Sequence, residues 1–428
     1  MSESEAFDVV VVGAGNAALC AALAAREQGA RVAVLERATK REHGGNSRFT
    51  MASMRFAYDG VVDLMEVAPQ LTAEDRARAD FGAYTEAQYL ADLDSTSGGR
   101  CDPDLARALV SDSRATLRWM AGQGVRFVPL WGNQSFVGDD GRHRFWGGLT
   151  LQAARGGPGL VLALRRAACK AKIRVIHETR ALGLVRQRDG IAGVEVEQRG
   201  ERRRIGAGAV VLACGGFEAN AEWRAEHLGA PWRFAKVRGT RHNTGDGIAM
   251  ALAAGARAGG QWSGCHAVQW DRSAPDTGDL RVRHAFQKHS YPLGILVNAR
   301  GERFVDEGYD FRNYTYARYG RAVLEQPGRF AWQIFDARTT PLLRDEYEAP
   351  HATRADAGTL EELAHRLEGV DAGRFLATVA QYNAAVDEGR PFDPARKDGR
   401  HTRGLAVEKT NWANRIDRAP FRAYAVTC

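Results

Sequence analysis

Gly13, Ala14, Gly15, Asn16, Ala17 and Ala18 have types and spacing that suit a dinucleotide. Asp8 to Val12, ahead of them, is an apolar run of strand type, and Leu19 to Gln28 behind them has helical character, so the glycines fall at a strand-to-helix turn. At such a turn Gly13 permits the tight bend, Gly15 lets a pyrophosphate approach the backbone and Ala18 stands at the third glycine position, with the helix N-terminus facing phosphate. Glu36 ends the following strand, Arg31 to Glu36, at the distance expected of an acceptor for ribose hydroxyls. The bland alternative is a structural turn whose glycines serve packing alone, and such a turn needs no Glu36. FAD and NAD share the same ADP half, so this stretch leaves both open.

Three later stretches add to it. Gly44, Gly45, Asn46 and Ser47 supply flexible backbone, hydroxyl and amide groups suited to a second pyrophosphate or flavin contact. Val210 to Gly216 runs from a strand into glycines, and Asn243-Thr-Gly-Asp-Gly247 opens a helix of alanines. Each is weak alone; in this order they are specific.

The elements around these residues read as an α/β chain. Its 428 residues exceed what one core comfortably serves, so two compact units are expected. Strand, glycine turn, helix and strand open the first, residues 1–260, as a βαβ unit. Helical segments at Glu86 to Asp94 and Asp104 to Gln123 decorate it. A helix (Leu160 to Lys172), a strand (Arg174 to His177), a hairpin around Asp189-Gly190 and a strand (Ala209 to Ala213) complete its sheet. Residues 261–388 change character, with many aromatics, a turn at Asn298 to Gly301 and helices at Thr359 to Arg366 and Arg374 to Val386, and read as a capping domain. Residues 389–428 are expected to return to the first unit.

Composition excludes several classes. Hydrophobic residues at 44% and charged residues at 26% are those of a globular protein, not of a disordered or collagen-like chain. The net charge of +7 is spread over scattered arginines. Arg202 to Arg204, the tight run, decorates a hairpin, so nucleic acid is not expected, whereas a diffuse positive field suits a small polycarboxylate. Apolar runs such as Ala17 to Ala25 are too short to span a bilayer, so no transmembrane segment is expected. The N-terminus lacks the sections of a secretory signal, which points to the cytoplasm. Cys20, Cys101, Cys169, Cys214, Cys265 and Cys428 lie far apart without a CxxC pair, so neither a metal nor a disulfide framework is expected.

In order along the chain, GAGNAA, Glu36, GGNS, VVLACGGF and NTGDG resemble the FAD-binding domain of the fumarate reductase/succinate dehydrogenase flavoprotein family, over nearly the whole chain. The resemblance implies a Rossmann-like FAD-binding domain of the glutathione reductase type, discontinuous, with an inserted α+β capping domain. It implies FAD held by Gly13, Gly15, Asn16, Ala17, Ala18, Glu36, Arg37, Gly44, Gly45, Asn46, Ser47, Ala181, Ala213, Gly215 and Asp246. Gly294 to Asn298, then Gly301 to Glu307 and Arg312, look like the capping-domain signature whose trailing arginine is catalytic. Arg312 is thereby expected to transfer the proton, assisted by Glu307 or Asp310, although clamping a carboxylate is the plainer role. By the same resemblance His266 is catalytic or substrate-binding, and Arg241 and His289 pair substrate carboxylates.

Lys236 to Arg241, Lys288 to Pro292 and Phe311 to Tyr316 are more similar to the tricarballylate dehydrogenases of this class than to succinate dehydrogenases. Those enzymes oxidise propane-1,2,3-tricarboxylate to cis-aconitate and pass electrons to a membrane-associated iron–sulfur partner, so a place peripheral to the inner membrane is implied. Fumarate reductases, 3-ketosteroid dehydrogenases, a cobalamin-pathway flavoprotein and a non-catalytic, flavin-poor subunit are the rival readings. Three departures stand out. Asn46 occupies the position of the histidine that tethers FAD in succinate dehydrogenases, so the flavin is expected to be non-covalent. Gln287 and Ser290 replace the glutamate and arginine of the fumarate reductase proton relay, which leaves Lys288 or His289 for that route. The chain stops at Cys428, where family members continue through a glycine-rich strand and helix that close over the flavin, so that segment reads as missing.

Overall fold

Val10, Val11 and Val12 are buried on both faces of the strand Ala6–Val12 (β1), as an apolar run inside a parallel sheet must be. The computed structural model describes residues 6–131, 135–138, 140–188, 190–282 and 284–428. They divide into two compact units: Met1–Asn220 with Val237–Gln261, and Ala221–Lys236 with Trp262–Cys428.

In the first unit β1 leads through the glycine turn into α1 (Asn16–Glu27), which buries Ala18, Leu19, Ala22 and Leu23 at helical spacing, and then into the fully buried β2 (Val32–Leu35). Two helices decorate this opening, as the sequence predicts. α2 (Glu86–Ser97) starts at a capping box of Thr85 and Gln88 and stops at left-handed Gly98; α3 (Pro103–Gly122) starts from the Asp102 cap with proline in its first turn. α4 (Gly156–Lys170) precedes β3 (Arg174–Ile176), β4 (Thr179–Gln187), β5 (Gly190–Gln198) and β6 (Glu201–Leu212). The sheet runs β3-β2-β1-β6-β5-β4, its first four strands parallel and its last two added as antiparallel hairpins. Arg202 and Arg204 lie on the β5–β6 hairpin beside Glu197 and Glu195. The β4–β5 turn falls where expected, although Asp189 itself is outside the described residues. A short helix, α5 (Asp246–Ala253), follows the Asn243 to Gly247 motif.

The second unit is built on an antiparallel sheet. Its elements are β7 (Trp270–Asp271), β8 (Ile295–Asn298), α6 (Arg312–Leu324), β9 (Ala331–Phe335), β10 (Arg354–Ala357), α7 (Leu360–Arg366), α8 (Ala372–Ala385) and β11 (Phe421–Thr427). β11 pairs with β9 along one edge and with β7 and β10 along the other. The sequence reading returned residues 389–428 to the first unit; they lie in the second because β11, buried along nearly its whole length, completes that sheet. Ile295, Trp332, Ile334, Phe375, Val379, Tyr382 and Ala423 share its core. Between α8 and β11 the chain forms a strap without helix or long strand, held by side-chain hydrogen bonds.

Candidate functional site

The cleft of the first unit forms where β1, β2 and β6 end. Gly13 (φ +110°) lets the chain turn under the Ala213 carbonyl, which a Cβ at Gly13 would strike. Gly215 (φ +78°) likewise leaves room for the Asn243 amide. The N-cap of α1 is Gly15, without a side-chain cap, and the Asn16 N–H donates to Ser47 Oγ at 3.0 Å. This helix end borders the cleft, which suits pyrophosphate.

Glu36 is 6% exposed, and its Oε1 accepts the Ala38 N–H at 2.8 Å. Burial pushes its pKa up, against the amides of Ala38, Gly44 and Ala14 and the charge of Arg37. Arg37 Nη1 donates to Thr244 Oγ1 at 2.8 Å and Asp246 Oδ2 at 3.1 Å, and Arg180 Nε reaches the same carboxylate oxygen at 3.0 Å. Burial raises the Asp246 pKa, but the Arg180 and Thr244 hydrogen bonds and the two guanidinium charges together hold it below the usual range. Arg180, which the sequence reading did not single out, and Asn243, the first residue of the NTGDG motif, line the cleft with the expected residues.

Of the residues expected to hold FAD, Gly13, Gly15, Asn16, Ala17, Glu36, Arg37, Gly45, Asn46, Ser47, Ala181, Ala213, Gly215 and Asp246 line this cleft. Ala18 is instead fully buried in the core, the packing task of a third glycine position. Gly44 takes φ +104°, and a Cβ there would press on Arg48 and Val161 at 2.8 and 2.9 Å. The cleft residues fit the ADP half of a dinucleotide: an open helix N-terminus for phosphate and a buried carboxylate for ribose. Asn46 Oδ1 accepts the Thr240 N–H at 2.9 Å. Arg241, expected to pair a substrate carboxylate, is exposed in this unit and pairs with Glu42 at 3.0 Å.

In the second unit Arg312 is the first residue of α6, with Phe311 as its N-cap. Positions three and four residues on share that helix face. Thr315 shares a 2.5 Å hydrogen bond with Tyr291, and Tyr316 meets His266 and His289 in edge-on ring contacts at 5.0 and 5.2 Å. Tyr316 therefore gathers His266 and His289 beside the helix that begins with Arg312. The sequence signal for it was its place four residues after the arginine. Burial, and after it the charge of Arg344, lower the Arg312 pKa to about 10, against Tyr291, Tyr316 and Glu346. A guanidinium is a poor base because its pKa lies far above working pH, and this environment narrows that gap.

The carboxylates expected to assist Arg312 have other partners. Glu307, fully buried, accepts the Leu296 N–H at 2.8 Å and a two-pronged contact from Arg303 at 3.1 and 2.6 Å. Asp310 accepts the Phe311 N–H at 2.7 Å and pairs with Lys397 at 3.3 Å. Lys288, considered for the proton route, forms a fully buried ion pair with Asp271 at 3.5 Å. Separating such a pair costs several kcal/mol, which suits a structural role. Ser290 Oγ accepts the backbone N–H of Arg344 at 3.2 Å.

The family described as FAD binding domain matches residues 8–427. A fumarate reductase (cytochrome) of Shewanella frigidimarina is 28% identical over 395 residues, covering 91% of this chain and 62% of the relative. A 3-oxosteroid 1-dehydrogenase of Mycolicibacterium smegmatis is 29% identical over 272 residues, covering 58% of this chain and 45% of the relative. Among solved structures, the open conformation of a flavocytochrome c3 fumarate reductase superposes with a TM-score of 0.70 at 25% identity, covering 100% of this chain and 67% of that one. The chain thus spans about three fifths of the length of the fumarate reductase relative.

Proposed function

The chain belongs to the FAD-binding-domain family of flavoproteins, its cofactor is FAD, and we propose that it oxidises a CH–CH bond between carboxylate-bearing carbons of a small polycarboxylate, tricarballylate to cis-aconitate in the first instance. The observation that carries this reading is the placing of Arg312 at the head of α6, beside Tyr316 with its two histidines and within the electrostatic reach of a second guanidinium, Arg344. Gly13, Gly15, Ser47, Glu36 and the cleft around them hold FAD. With Asn46 in place of a tethering histidine, an amide that lacks imidazole nucleophilicity, the flavin stays non-covalent.

FAD, when bound, supplies the hydride acceptor. Making the double bond removes a hydride from one carbon and a proton from its neighbour. Arg312 takes that proton, its lowered pKa narrowing the mismatch that makes a guanidinium a weak base. His266 and His289, set by the Tyr316 ring between them, face the substrate carboxylates, and buried carboxylates demand such partners. Among the described residues no helix is long and apolar enough to cross a membrane. The electrons pass on, in this reading, to a membrane-associated iron–sulfur protein.

A second reading, a neutral cyclic ketone as substrate, draws on the 3-oxosteroid 1-dehydrogenase similarity. Guanidinium and imidazole groups about Arg312 favour the anionic substrate. Replacing Arg312 by Ala in the flavin-loaded chain is expected to lower turnover of tricarballylate by about 100-fold or more. Turnover within a few-fold of wild type would remove Arg312 from the chemistry.

A further inference from the structure

After the ribose carboxylate of Glu36 the chain turns back on itself, with the Glu42 and His43 N–H groups both donating to the Thr39 carbonyl at 3.0 Å. His43, buried, then leads into the glycines of the cleft wall. Its Nδ1 lies 2.7 Å from the Lys40 carbonyl, and its Nε2 lies 3.1 Å from Arg165 Nη1 of α4. A carbonyl oxygen only accepts and a guanidinium only donates, so the ring carries its proton on Nδ1 and presents a lone pair at Nε2. It is the neutral imidazole. The His177 ring, just beyond β3, meets it edge-on at 5.4 Å.

The same arm carries the cleft residues. Arg48 Nη1 donates to the His43 carbonyl at 3.1 Å and to the Arg41 carbonyl at 2.6 Å, closing the arm from its far end. Gly44 brings it so near Arg48 and Val161 of α4 that a Cβ would press on both. Ser47 Oγ takes the Asn16 N–H, and Asn46 Oδ1 takes the Thr240 N–H. The wall is thereby tied to the cleft through Asn46 and Ser47, and to α4 through His43.

We propose that His43 is a positioning residue of the FAD cleft: its neutral ring, accepting from Arg165, holds the Gly44 to Ser47 wall in the form that binds the cofactor. This rests on the cofactor and not on the choice of substrate. Arg165 faces the ring from α4, Lys40 and Arg48 flank it on its own arm, and His177 meets it from the end of β3. Glu42 is turned to Arg241, and Glu178 is exposed. Burial, with the charges of Arg165, Arg48 and His177 and against the Lys40 carbonyl, lowers the His43 pKa to about 4. A proton on Nε2 would set N–H against N–H and open the contact. The unfolded chain takes up that proton near pH ~6.5 and the folded chain only at about 4, so stability is full above the first value and falls as pH drops toward the second.

The test compares wild type with His43→Gln, which keeps an acceptor but does not titrate, and His43→Phe, which keeps a ring without an acceptor. In fluorescence titrations of FAD with the flavin-free chain near neutral pH, His43→Phe is expected to weaken binding about tenfold or more, and His43→Gln less than about threefold. In urea unfolding without added flavin, the wild-type midpoint is expected to fall relative to that of His43→Gln between about pH 7 and about pH 5. Wild-type FAD affinity in His43→Phe, equal losses in the two variants, or midpoints that stay parallel over that range would each overturn the role of His43. If His43→Phe does not fold, Arg165→Met decides from the other side of the contact. It is expected to weaken FAD about tenfold, and unchanged affinity there would overturn the role as well.

Discussion

The Trp412 ring packs on Phe311 with centroids 5.5 Å apart, and Phe311 is the residue that caps the helix beginning at Arg312. Trp412 sits in the strap with φ +55°, a conformation rare for a bulky residue and held here by its neighbours. Its backbone N–H donates to Asp398 Oδ1 at 2.9 Å, and its indole N–H is shared between the Asp393 and Arg396 carbonyls at 3.0 and 2.9 Å. Asn411 donates to the Gly308 carbonyl at 2.8 Å, and a Cβ at Gly308 would run into the Asn411 backbone. A stretch without regular structure thereby sets where the α6 helix begins.

Trp412→Phe keeps a ring against Phe311 and loses the shared indole hydrogen bond. It is expected to cost about 1–2 kcal/mol in urea unfolding and to leave turnover within a few-fold of wild type. Trp412→Ala also loses the ring contact, and its turnover is expected to fall about tenfold or more with flavin absorbance per chain unchanged. Equal turnover in the two variants would show that the strap does not position Arg312.

Gly13→Ala forces a Cβ toward the Ala213 carbonyl at a backbone angle that disfavours side chains. The visible flavin band per chain after gel filtration is expected to fall to less than about a tenth of wild type. Full flavin occupancy in this variant would mean that the first turn does not set the pyrophosphate path.

Asp246 gives a pH dependence of definite sign. Its folded-state pKa is depressed, so the stability it contributes is fully present above its unfolded value, ~3.9, and is lost as pH falls through the lower folded value. Urea midpoints of wild type and Asp246→Asn, taken without added flavin, are therefore expected to differ at about pH 6 and to converge as pH drops below about 3. Parallel curves over that range would contradict the bridging role of Asp246 between Arg37 and Arg180.

Local pattern made the dinucleotide cleft legible. Gly13, Gly15, Glu36 and the flanking strand and helix all lie within the first 36 residues, where spacing alone fixes geometry. Asp246 was recognised by its motif, but its partners Arg37 and Arg180 come from distant segments, and no spacing predicts that meeting. The placement of β11 could not be read because its alternatives differ only in long-range pairing: an apolar strand fits either unit. Glu307 and Asp310 looked like helpers of Arg312 because they precede it closely; burial gave Glu307 to Arg303, and the helix cap took Asp310. Tyr316 was visible as one residue of a motif, whereas Trp412 acquires meaning only from the contacts of the strap.

Whether the bound flavin oxidises tricarballylate is read from the visible spectrum of the purified chain, recorded without oxygen before and after tricarballylate is added. The flavin band is expected to bleach on addition in wild type and to persist in Arg312→Ala. A flavin band in wild type that tricarballylate leaves unchanged would contradict the proposed oxidation while leaving the FAD cleft standing.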